Sequence, residues 1–119
     1  MRTVLTAPDA AFGPYEVDLF DNPVAAALAG RLPLSLPFAD AGGVEKVARL
    51  EEPLEVHGVP DSDEPGPGEI AYYAPLQNLV LYYGHPGRWP GLVRLGRVHV
   101  DLVQLRDLPD GTVLRLALA

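Results

Sequence analysis

The amino-acid sequence predicts a mainly β domain, an antiparallel barrel or sandwich of about eight strands. Three observations carry this. Short β-prone runs recur along the chain, separated by turns rich in its 13 prolines and 12 glycines. Only residues 23–29 read as a clear helix, so the alternating rhythm of a parallel sheet is absent. The length, 119 residues, fits one domain over residues 1–119. A chain of this size buries roughly two thirds of the surface it exposes when unfolded, enough for a real core.

The elements follow in order. Thr3–Ala7 is a β-prone run ended by Pro8-Asp9. Tyr15–Leu19 alternates apolar and acidic residues, the pattern of a strand with one wet face, and pairs with the first run as a hairpin. Asn22 is a good N-cap, and Pro23 suits the first helical position, where its missing N–H costs nothing. Val24–Ala29 continues the helix for about two turns, and Gly30 is expected to close it in the left-handed conformation. Leu34–Phe38 and Val44–Leu50 read as strands around a turn at Asp40–Gly43. Pro33 and Pro37 push the first of them to an edge or a bulge. Ile70–Ala74 and Leu79–Tyr83 are apolar on both faces, as strands covered on both sides are. Arg97–Val103 alternates again, and Thr112–Leu118 follows a turn at Pro109–Gly111.

Lysine and arginine total 9 and aspartate and glutamate 16, a formal charge of −7. Seven of the acids lie between Glu51 and Glu69, a stretch with no lysine or arginine and with four prolines. Outside it the charges balance. Residues 58–68 therefore read as an acidic, mobile Pro/Gly-rich surface loop. An acid excess argues against a protein that coats nucleic acid or an anionic membrane. No segment reaches the roughly 18 apolar residues of a membrane span, and the first residues lack a secretory apolar core. The expectation is a soluble, cytoplasmic protein with no nucleic-acid and no membrane partner.

Zero cysteines remove disulfides, thiol catalysis and cysteine-bound zinc. The three histidines, His57, His85 and His99, show no metal-ligand spacing, so no metal and no cofactor is expected. Arg97, His99 and Asp101 alternate and would share the wet face of one strand, with the carboxylate able to orient the imidazole. Ser35 and Ser62 lie in no nucleophile elbow. Lys46, the only lysine, is expected to pair with its neighbour Glu45. Tyr72, Tyr73, Tyr82 and Tyr83 form two tandem pairs on neighbouring strands, one ring of each pair facing each side. One ring of each belongs to the core, and the other meets the helix or lines a cleft. Trp89, the only tryptophan, stands in the stiff Gly/Pro loop of residues 84–91.

A family resemblance rests on two groups of residues. The first is Asp21-Asn22-Pro23-Val24-Ala25, Leu32-Pro33-Leu34 and Glu45-Lys46. The second is residues 68–75 (GEIAYYAP), Asn78-Leu79, Tyr82-Tyr83-Gly84 and residues 90–98 (PGLVRLGRV). In this order they resemble the small prokaryotic proteins of cyclophilin-like fold, a largely uncharacterised bacterial and archaeal group. The resemblance implies a closed antiparallel barrel of about eight strands with a helix packed over an end. It carries over no catalytic residue. Cyclophilin isomerases use an arginine ahead of a Phe-Met-x-Gln-Gly-Gly-type run, whereas Arg49 is followed by Leu50-Glu51-Glu52 and the only methionine is Met1.

The leading expectation is a binding protein that takes a small molecule or peptide in a cleft lined by Glu45, Tyr73, Tyr83, Arg88 and Trp89. One rival is a peptidyl-prolyl isomerase with a rearranged site, which a prolyl-peptide assay decides. The other is a non-catalytic interaction module, a homodimer through an exposed strand edge, which concentration-dependent size in solution decides.

Overall fold

The computed structural model describes residues 1–119. In chain order the elements are β1 (Arg2–Thr6), β2 (Tyr15–Leu19), α1 (Pro23–Ala29), β3 (Leu34–Ala41), β4 (Glu45–Arg49), β5 (Ser62–Asp63) and β6 (Glu69–Tyr73). A 3-10 turn (Ala74–Leu76) leads into β7 (Asn78–Tyr82), β8 (Trp89–Pro90), β9 (Leu92–Val98), α2 (Leu102–Arg106) and β10 (Thr112–Leu118). Eight strands close an antiparallel barrel in the order β1-β10-β3-β4-β7-β6-β9-β2, and β5 pairs with β8 in a separate two-stranded flap. The mainly β closed barrel of eight strands is thus the architecture, with a second helix that the sequence reading lacked. No helix is long and apolar enough to cross a membrane.

The helix α1 forms as its sequence dictates. The Asn22 side-chain oxygen accepts from the backbone N–H groups of Val24 and Ala25 at 3.1 and 2.8 Å. Its amide nitrogen donates to the carbonyl of Arg94 on β9 at 3.0 Å. One side chain thereby caps the helix and docks it on the barrel. Val24, Ala25 and Leu28 enter the main core. Gly30 departs from expectation: its φ is −67°, in the right-handed region, and its N–H donates to the carbonyl of Ala26.

The proline reading of β3 is visible in the pairing. Leu34, Leu36, Pro37 and Phe38 face partners on β10, but β4 pairs with β3 only from Ala39 to Ala41. The proline-flanked half of β3 is therefore a local edge inside a closed barrel.

Two stretches need correction. The strand expected over Arg97–Val103 is instead Leu92–Val98, and a helix follows. Asp101 is its N-cap, accepting from Val103 and Gln104 N–H at 2.9 and 3.1 Å. Alternating residues 98–102 imitate a strand, but an aspartate ahead of Leu102 and Leu105 is also a helix start. The expected common face of Arg97, His99 and Asp101 does not form. The acidic segment, expected as a loop throughout, carries β5, whose Ser62 and Asp63 face Pro90 and Trp89.

Side-chain alternation splits the sheet into two faces. Inside, Val17, Ile70, Tyr72, Leu79, Leu81 and Leu95 join the main core. The hydroxyl of Tyr72 accepts from the N–H of Leu54 at 3.1 Å, so the buried phenol is satisfied. Outside, Ala71, Val80, Tyr82 and Leu92 form a second apolar cluster, with Val47 and Tyr73 against it. This outer cluster is what makes β6 and β7 apolar on both faces.

Candidate functional site

The outer cluster floors a hollow of about 300 Å³. Register explains its composition. Directly opposed residues of an antiparallel pair share a face. Glu45 opposes Tyr82, Val47 opposes Val80, and Tyr73 opposes Asn78. All six line the hollow, with Leu92 from β9. Glu45 and Tyr82 stand at one end along the strands, Asn78 and Tyr73 at the other. Leu76, Pro86 and Trp89 complete the rim.

The rim is braced by backbone contacts. The Trp89 indole N–H donates to the carbonyl of Pro86 at 2.8 Å, which sets the ring's orientation. Gly91 N–H donates to the carbonyl of Asp61, and Ala74 N–H to the carbonyl of Gly91. Gly91 has φ +81°, and a Cβ there would lie 2.8 Å from Cδ of Pro75. Only glycine lets the Trp89 loop lie this close to the turn after β6.

Glu45 is the charged group of the hollow and is half-buried. Burial first, and Asp40 second, hold its carboxyl above the usual range, with no opposing hydrogen bond or cation. Burial also pushes the Tyr82 phenol up, with Glu45 and Tyr73 adding to the effect. A carboxyl whose pKa is higher folded than unfolded subtracts from stability once it ionises, and the deficit vanishes as pH falls below the unfolded value. Glu45→Gln is therefore expected to raise thermal stability at pH 7, by less than about 1 kcal/mol. The gain should disappear below about pH 4. Melting curves at the two pH values check this, and an equal gain at both would exclude the burial account.

The five side chains expected at a cleft do not all meet. Glu45, Tyr73 and Trp89 line the hollow; Tyr83 and Arg88 do not. Tyr83 lies one residue beyond Tyr82 and turns to the opposite face. Its hydroxyl donates to Asp40, and its ring lies 5.9 Å from the Lys46 ammonium. Burial and then Asp40 push the Tyr83 phenol up to about 12. Arg88 instead donates to the carbonyl of Ser62 at 3.3 Å, bracing the flap. Tyr82 occupies the place the sequence reading assigned to Tyr83. Arg49 shares the outer face with Glu45 and Val47 but is exposed and outside the lining.

Lys46 is corrected as well. It is buried, donates to the carbonyl of Leu108 at 2.9 Å, and lies 3.4 Å from Asp40 rather than pairing with Glu45. Sequence reasoning missed an ion pair beside the hollow's outer face, between buried Glu69 and partly exposed Arg94. Arg94 Nε donates to Glu69 at 2.6 Å, and Gly66 N–H donates to the same carboxylate at 3.0 Å. The β6–β9 register sets Glu69 opposite Arg97 and Arg94 opposite Ala71, so no sequence signal pairs Glu69 with Arg94. Elsewhere, His99 Nε2 lies 2.9 Å from Asp18, and Glu16 completes three donors within 4.8 Å. Glu16 already pairs with Arg2 at 3.1 Å, so this exposed group is a surface ion-pair cluster.

The fold has known relatives. The solution structure of the hypothetical protein AF2241 from Archaeoglobus fulgidus superposes with a TM-score of 0.72 at 21% identity, covering 100% of this chain and 95% of that one. At this identity the likeness shows the fold alone. No curated protein matches the sequence. The model of the Cyclophilin-like family matches residues 11–116, nearly the whole barrel. The chain belongs to the Cyclophilin-like family.

Proposed function

We propose that this barrel is a binding protein that takes a small organic molecule in the outer-face hollow. One observation carries the reading. A cavity of about 300 Å³ opens on the sheet, mostly apolar and aromatic, with Glu45 and Asn78 as its polar groups at opposite ends. Ligand sites have this make-up: apolar walls for affinity, a few polar groups for orientation, and volumes from about 300 Å³ upward. Val47, Val80 and Leu92 supply the floor, and Tyr82, Tyr73 and Trp89 the flat contact surfaces.

A ligand found by thermal-shift screening tests the reading. Trp89→Ala and Tyr82→Ala are each expected to weaken it by about tenfold or more, the usual scale for removing an aromatic anchor. Tyr82 is buried, so Trp89, at the exposed rim, is the cleaner site. Tyr83→Phe, on the other face of the sheet, should leave affinity unchanged. If Trp89→Ala and Tyr82→Ala both fold and bind as the parent does, the hollow is not the site.

A further inference from the structure

We propose that the hollow takes a small organic cation, an alkylated ammonium whose head sits at Glu45 and Tyr82 and whose apolar part lies across Val47 and Val80 toward Tyr73 and Trp89. The proposal rests on the binding reading above and names the chemistry of the ligand.

Three observations on separate parts of the chain converge on it. First, Glu45 is a half-buried carboxylate with no cation beside it. The carboxyls of Asp18, Asp40 and Asp107 are all held below their usual range, by hydrogen bonds first and by neighbouring positive groups as well. Glu45 is displaced the other way, by burial first and by Asp40 second, with no positive group opposing them. Second, half-buried Tyr73 and exposed Trp89 line the same hollow, and aromatic rings attract ammonium groups. The chain's own cation–ring contacts, Lys46 on Tyr83 and Arg94 on Phe20, lie outside the hollow, so its rings are left to a ligand.

Third, the acidic segment folds beside the hollow. Asp63 faces Trp89 across the flap, and the carbonyl of Asp61 accepts from Gly91. Asp61 and Asp63 therefore place negative charge at this mouth, which draws cations in from solution. The bases nearby are both engaged, Arg88 with Ser62 and Arg94 with Glu69. The volume suits a small molecule, and neither carboxylate nor phosphate is welcome next to Glu45.

Choline and its uncharged carbon isostere, 3,3-dimethylbutan-1-ol, separate charge from shape. Trp89 is the only tryptophan, so its fluorescence reports occupancy directly. Choline should bind about tenfold more tightly than the alcohol, the scale of a partly desolvated cation–π contact with a carboxylate behind it. Glu45→Gln should lower choline's affinity to the alcohol's. Equal binding of the two compounds, or a choline preference that survives Glu45→Gln, overturns the cation assignment and leaves the hollow standing. If neither compound perturbs Trp89 at millimolar concentration, the cation assignment falls, and the thermal-shift screen above decides the binding reading separately.

Discussion

Replacing Gly96 with alanine is expected to destabilise the protein by about 3 kcal/mol, a large part of the roughly 5–15 kcal/mol that holds a domain together. Gly96 sits on β9 between Ile70 of β6 and Leu19 of β2. A Cβ at this position would lie 2.5 Å from the carbonyl oxygen of Asp18 and 3.0 Å from Cα of Leu19. These are backbone atoms, so no rotamer change relieves the clash. The β2–β9 seam must separate, and the register shift next to it, between Ile70 and Ala71, leaves little slack. Gly43→Ala is the comparison. Gly43 has φ +69° with open space around it, so alanine there meets only the left-handed backbone penalty of about 1 kcal/mol. Urea unfolding of both variants separates the two causes, and a Gly96→Ala protein as stable as the parent would disprove the close approach.

Arg94→Met is expected to cost about 3 kcal/mol, and more than Glu69→Gln. The asymmetry follows from exposure. The Glu69 side chain is 6% exposed, whereas that of Arg94 is 37% exposed. Removing the guanidinium leaves a buried carboxylate with only the Gly66 N–H. Removing the carboxylate's charge leaves an arginine that can turn to water, and glutamine still accepts the Gly66 hydrogen bond. Replacing both partners with apolar residues should recover most of the loss, because no charge is then stranded. Denaturant midpoints of the three variants check the order. Equal costs for the single changes would mean that the pair behaves as a surface salt bridge.

Much of the barrel was readable because its strands obey simple rules. Alternation marked Tyr15–Leu19, proline placed the free half of β3, and Asn22-Pro23 marked the start of α1. The helix at Leu102 escaped because its identity depends on where β9 stops. Val98, Val100 and Leu102 satisfy a strand pattern until Asp101 is seen to cap. The tandem tyrosines show a different limit. A tyrosine pair must put one ring on each face, but adjacency alone does not say which. The turn between β6 and β7 decides it. Residues 74–77 place Tyr73 opposite Asn78, and four residues on from Asn78 the same face returns at Tyr82. Glu45 and Trp89 could be named as candidates from residue type, but only β4–β7 register and the β5–β8 flap bring them together.

The barrel is closed by β1 against β10, with Thr3 facing Leu118 and Thr6 facing Arg115. The seam thus joins two strands that lie far apart in the sequence. Until Thr112–Leu118 docks, β1 and β3 both present unpaired backbone edges, the surfaces on which partly folded chains stick to one another. A helical domain can settle its early contacts locally, whereas this barrel closes only through contacts between segments distant in sequence. The seven-residue strand β10 therefore acts as the latch of the barrel, on the side of the sheet order away from the strands β4, β7, β6 and β9 that line the hollow.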